Sequence, residues 1–179
     1  MKMEKMNRYL QLFRKAGVLK ETDREGWKRV GIDDPESVAD HSFRAAFMAM
    51  TLGEEFGLDG FKLVKLLMVH DLAESEIGDI TPDEPISEDE KFRKEKESIE
   101  RISSDLDGVL DLESLWKEYE TGETREAEIA RDIDRLERIL QAQEYEEEYP
   151  EKDLSEFLIE GRGSLESEEI KDLLTKLSS

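Results

Sequence analysis

Cysteine is absent from this chain of 179 residues. That absence excludes disulfides, cysteine-zinc sites and thiol nucleophiles, and it fits a reducing interior. Histidine is nearly absent, with two residues. Positive charge is short: 26 Lys and Arg stand against 47 Asp and Glu, for a formal net charge of −21. Such a surface repels nucleic acid backbones and anionic membranes, so neither is an expected partner. It also repels a small phosphate ester unless a bound cation and one or two arginines offset the field. No run of about 18 uncharged apolar residues is present, so nothing is expected to span a membrane. The N-terminus, Met1-Lys2-Met3-Glu4-Lys5-Met6, lacks the apolar run of a signal peptide, and a cytoplasmic location is expected.

What is present is periodic. Hydrophobic residues make up 37% and charged residues 41%, with the apolar ones gathered in helical blocks, as in a folded all-α protein. The length fits one domain, residues 1–179, with a core over 8–150 and a helical tail over 151–179. Met3, Met6, Leu10 and Phe13 mark a first helix over 3–15. An irregular connection over 16–35 follows and holds a basic cluster, Arg24, Trp27, Lys28 and Arg29. A second helix runs from about Pro35 to Phe56 and ends at Gly57, with His41 in its first turns. The third, Phe61 to Glu74, is apolar nearly all round and reads as a central core element. A loop over 75–86 includes Thr81-Pro82. Further helices are expected over 87–103, 110–119 and 124–147, and two short ones flank Gly161-Arg162-Gly163.

Both histidines stand where a metal can use them. His70 and Asp71 are adjacent, so on a helix they point about 100° apart, and both reach an ion placed beside the helix end. An imidazole and an acid at the end of an apolar helix are costly to bury unpaired. A satisfied core histidine beside a helix-end acid is the plainer alternative. Glu74 follows on the same face, where a carboxylate beside a metal serves as a proton carrier. Asp132 and Asp134 on the long helix point about 200° apart, so only one faces such a site; periodicity leaves both open.

Taken in order, His41, His70-Asp71 and Asp134 resemble the ligand pattern of the HD-domain phosphohydrolases. The strings Glu36-Ser37-Val38-Ala39-Asp40-His41-Ser42, His70-Asp71-Leu72-Ala73-Glu74-Ser75-Glu76-Ile77-Gly78-Asp79-Ile80 and Ile133-Asp134-Arg135 resemble the 5′-deoxynucleotidase branch of that family. Ile139 to Glu146 is similar to its eukaryotic members. The resemblance implies a single helical HD domain with one divalent transition metal on His41, His70, Asp71 and Asp134. It implies release of phosphate from deoxyribonucleoside 5′-monophosphates, with Glu74 as catalytic acid and Asp79 as a second site acid. The family places an arginine beside a tryptophan ahead of the first histidine. Here Trp27 keeps the tryptophan's spacing, Gly26 stands in the arginine's place, and Arg24 resembles the eukaryotic pattern. Arg24 is therefore the expected phosphate ligand and Trp27 the expected sugar or base contact. A homodimer is implied as well.

Two imidazoles and two carboxylates suit Mn, Co, Fe, Ni or Zn better than Mg. Other readings of the same residues are a phosphodiesterase, a nucleotide polyphosphate hydrolase, or a helical module with a structural metal. Leu115, Trp116 and Tyr119 are expected either at a dimer face or covering the core.

Overall fold

The structure, a computed structural model, describes residues 2–81, 84–104, 106 and 108–177. Among them the chain is helical throughout: α1 Lys2–Val18, α2 Glu25–Arg29, α3 Val38–Phe56, α4 Gly60–Val69, α5 Glu74–Ile77, α6 Glu88–Ser104, α7 Leu112–Thr121, α8 Arg125–Glu148, α9 Ser155–Ser164 and α10 Glu168–Leu177. Among the described residues the one β feature is an isolated antiparallel bridge between Asp23 and Ser37. Pro82, in the expected 75–86 loop, lies outside the described residues.

The core forms where α3, α4 and α8 meet. Ala45 and Ala49 of α3, Leu63, Leu66 and Leu67 of α4, and Ile129, Ile133, Leu136 and Ile139 of α8 are all buried together. The alanines keep α3 close to its neighbours. So does Gly53, because a Cβ there would stand 2.6 Å from the Gly60 Cα. This close approach brings the start of α3 and the end of α4 to one place, beside the middle of α8.

The structure differs from expectation in four respects, each with a physical reason. The connection over 16–35 contains α2, a helix of five residues, too short for periodicity to reveal. The third helix ends at Val69, not Glu74. Beyond it the backbone switches to i→i+3 bonds, Leu72 N–H to Val69 O and Glu74 N–H to Asp71 O, a tighter turn that re-aims the side chains. Nor is that helix buried all round, since Phe61 is 72% and Met68 55% exposed. Its partners cover one side only. Finally, the glycines at 161–163 lie inside α9 and do not separate two helices. Gly161 is there for packing: a Cβ would stand 2.7 Å from Ile139 Cγ1.

The first helix shows its predicted stripe to solvent. Met3, Met6, Leu10 and Phe13 are 50–80% exposed, while Tyr9 and Leu12 pack against the body. Trp116 and Tyr119 are 2% and 7% exposed, so they cover the core and present no dimer face. The tail joins the core too, through Leu165, Ile170 and Leu174. No described helix is long and apolar enough to cross a membrane.

Candidate metal centre

His41 enters the site from the first turn of α3. Ser37 caps that helix by accepting from the Asp40 N–H, and Asp40 accepts in return from the Ser37 N–H. The reciprocal pair fixes where the helix starts, and hence where His41 points. His70 is the residue on which α4 ends, and its Nδ1 donates to Leu67 O at 2.7 Å. Asp71 follows in the tight turn, and Asp134 comes from the middle of α8.

Four side chains converge. His41 Nε2 lies 3.3 Å from His70 Nε2 and 3.0 Å from Asp134 Oδ1. His70 Nε2 lies 3.1 Å from Asp71 Oδ2 and 4.0 Å from Asp134 Oδ1. His41 Nε2 and Asp71 Oδ2 are 3.8 Å apart. Ligand atoms about 2.0–2.2 Å from a common ion sit about 3–4 Å from one another, so the set fits a divalent cation.

The tautomers point the same way. His70 Nδ1 is held by a carbonyl, and His41 Nδ1 by the Glu137 carboxylate. Each neutral ring then turns its Nε2 lone pair inward, and two lone pairs face each other at 3.3 Å. Something positive must lie between them, either protons or a metal. In the ion-free protein it is protons. Burial and Arg24 push the His41 pKa down, but hydrogen bonds to Asp134 and Glu137 outweigh them and carry it to about 10. Burial opposes ionisation of Asp71 and Asp134 as well. His70 and Arg24 still hold Asp71 at about 2, and His41 holds Asp134 well below the usual carboxylate range.

Two supporting residues escaped the sequence reading. Glu137, 0% exposed, binds His41 Nδ1 with one oxygen and the Arg44 guanidinium with the other. Tyr119 donates its hydroxyl to Asp134 Oδ2 at 3.0 Å, leaving Oδ1 to the histidines. Glu137 stands one turn past Asp134 on the same stripe, which was its only sequence signal. Tyr119 had none.

Asp132, the alternative to Asp134, has a different task. It is buried and accepts from the Glu166 and Ser167 N–H groups and from Ser167 Oγ. It thereby secures the chain ahead of α10.

The centre opens into a cavity of about 220 Å³. Glu74, 8% exposed, lines it, and its Oε2 is buried without a hydrogen-bond partner. Burial, then Asp71 and Asp79, raise its pKa well above the usual carboxylate range. Asp79 also lines the cavity and accepts from the Glu25 N–H at 2.7 Å, tying the first turn of α2 to the site. Its pKa is raised, by burial first.

The basic cluster divides. Arg24 turns toward the centre, with its guanidinium 3.4 Å from Asp71 Oδ2. Lys28 pairs outside with Asp23 and Glu25. Trp27 lines the cavity but is 1% exposed, its Nε1 donating to Glu36 and its ring packed on Tyr145 and Phe157. It has no open face for stacking.

Known proteins resemble the chain over most of its length. The sequence pattern of the HD domain matches residues 16–172. The 5′-deoxynucleotidase HDDC2 of Dictyostelium discoideum is 39% identical, over 97% of this chain and 98% of its own length. The human 5′-deoxynucleotidase HDDC2 is also 39% identical, over 95% of this chain and 84% of its own. Among solved structures, a conserved hypothetical protein from Pyrococcus furiosus superposes with a TM-score of 0.77 at 33% identity, covering 94% of this chain and 95% of that one.

Proposed function

The chain belongs to the HD-domain family, and on that premise we propose that it is a metal-dependent 5′-deoxynucleotidase, releasing inorganic phosphate from deoxyribonucleoside 5′-monophosphates. The observation that carries this reading is the meeting of four donor atoms with an orphaned, protonation-prone Glu74 on one cavity wall. A purely structural metal would need no such acid.

In this reading His41, His70, Asp71 and Asp134 hold one divalent transition ion, whose donor set suits Mn, Co, Fe, Ni or Zn. When bound, the ion supplies Lewis acidity toward a phosphoryl oxygen and lowers the pKa of water. Arg24 offers its planar fork to phosphate oxygens. Glu74, whose pKa burial and the charges of Asp71 and Asp79 raise, gives a proton to the departing 5′ oxygen. Asp79 holds α2, and with it Arg24, in place, and raises the Glu74 pKa by its charge. Trp27, packed on Tyr145 and Phe157, supports the cavity wall from behind. The same reading includes a homodimer, for which the exposed α1 stripe of Met3, Met6, Leu10 and Phe13 supplies apolar surface; sedimentation of the purified protein checks it, a monomer at micromolar concentration contradicting it.

The test is phosphate release from dAMP, dGMP, dCMP, TMP and AMP with Mn or Co added. Faster turnover of the deoxy substrates is expected. Glu74→Ala should keep its metal and lose turnover; equal turnover would remove Glu74 from the chemistry.

A further inference from the structure

Arg138 stands one helical turn beyond Asp134 on α8 and lines the same cavity. Side chains on a helix lean toward its N-terminus, and residues four apart share a face. Arg138 thus belongs to the wall that carries Asp134. Its Nε is buried without a hydrogen-bond partner, and the guanidinium makes no ion pair among the described residues.

The other cations of this cavity are engaged. Arg24 faces Asp71, Arg29 pairs with Glu156, and Lys91 donates to Ile80 O with Glu95 at 3.8 Å. In a chain with 47 acidic side chains, an arginine without a carboxylate stands out, because a buried donor is normally satisfied. Its missing partner is an acceptor that enters from outside. The cavity's own charge indicates which kind. Asp71, Glu74, Asp79 and Asp134 surround Arg24 and outweigh the burial that would lower its pKa. A phosphate dianion entering beside Asp71, Asp79 and Asp134 gains from a further cation on the wall, in addition to Arg24 and a bound ion.

We infer that Arg138 is a phosphate-binding residue, taking phosphoryl oxygens of the substrate and of the released phosphate in the fork that no carboxylate fills among the described residues. The inference rests on the phosphomonoesterase reading above. It adds a second arginine to the subsite, one that the sequence pattern does not mark.

The test compares metal-loaded wild type with Arg138→Met, which keeps the length and helix preference of the side chain without its charge. TMP kinetics and calorimetric titration with inorganic phosphate are read together. KM for TMP and Kd for phosphate should both rise about tenfold or more, the loss expected for a charge-assisted hydrogen bond. Metal content should be unchanged. Arg138→Lys should recover part of the loss, keeping charge without the fork, and it replaces the Met variant if that variant does not fold. An unchanged Kd for phosphate would overturn the inference. A KM change confined to certain bases, with phosphate binding intact, would overturn it too and move Arg138 to the base. If wild type hydrolyses no nucleotide, the phosphomonoesterase reading fails, and the phosphate titration still decides Arg138.

Discussion

Glu137 holds His41 Nδ1 and Arg44 at once, from a position with no exposed surface. It sets the tautomer of His41 and so presents Nε2 to the centre. Glu137→Gln keeps the shape and removes the charge. Metal affinity should fall about 10–100-fold, the usual loss for a partner that orients a ligand; calorimetry or competition with a chelator measures it. The protons in the ion-free centre lead to a second expectation. The His41 pKa lies at about 10, above its ordinary value of 6.5. Its protonated pairing therefore stabilises the ion-free chain fully below about 6.5 and is lost as pH rises through about 10. Metal must displace that proton. Affinity should therefore rise with pH across this window, with protons released on metal addition. Calorimetry in two buffers of different ionisation heat reads the release, and zero release would contradict the protonated centre. Asp132 and Asp134 give a paired test. Asp134→Asn should lose metal and turnover, whereas Asp132→Asn should keep metal and lose about 1–3 kcal/mol of stability through its weakened hydrogen bonds. Periodicity could not separate the two aspartates, because both lie on the same helix. What distinguishes them is the partner across the interface, α10's leading residues for one and the histidines for the other. Glu137, Tyr119 and Arg138 were illegible for the same reason.

At the scale of elements, the chain's local signals worked where the cause is local. Ser37 and Asp40 start α3 by their own hydrogen bonds, and Thr124 caps α8 by accepting from the Ala127 N–H. Signals failed where another element decides. The α1 stripe marked a helix without saying which side meets the body, which packs against Tyr9 and Leu12. The glycines of α9 looked like a break, yet Gly161 is the point where α9 rests on α8. Gly161→Ala should accordingly destabilise the fold by about 1–3 kcal/mol, as overpacking does, while leaving metal stoichiometry intact. Thermal melting and metal analysis check both parts. A more stable variant, as helix propensity alone would give, would show that Ile139 yields easily. The end of α4 matters most. There the chain leaves α4 by a tight turn, and His70 Nε2 and Asp71 Oδ2 stand 3.1 Å apart at the helix end.

The whole molecule carries −21 and yet receives an anion. Its surface repels nucleotides at long range, and attraction begins only inside the cavity. Screening should therefore help: kcat/KM for TMP should rise as salt goes from about 0.01 M to 0.1 M, where the Debye length shrinks from about 30 to 10 Å. A fall over that range would mean the cavity's cations dominate the field outside it. Composition stated this charge, and the histidine count stated where chemistry had to lie. Neither stated how the acids and bases pair.

The most direct test of the central claim is a metal titration of chelator-stripped protein, followed by phosphate release from TMP. The account predicts no turnover without metal and a plateau at one ion per chain, with His70→Ala neither binding the ion nor turning over. Full turnover by the stripped protein, or by His70→Ala, would contradict it.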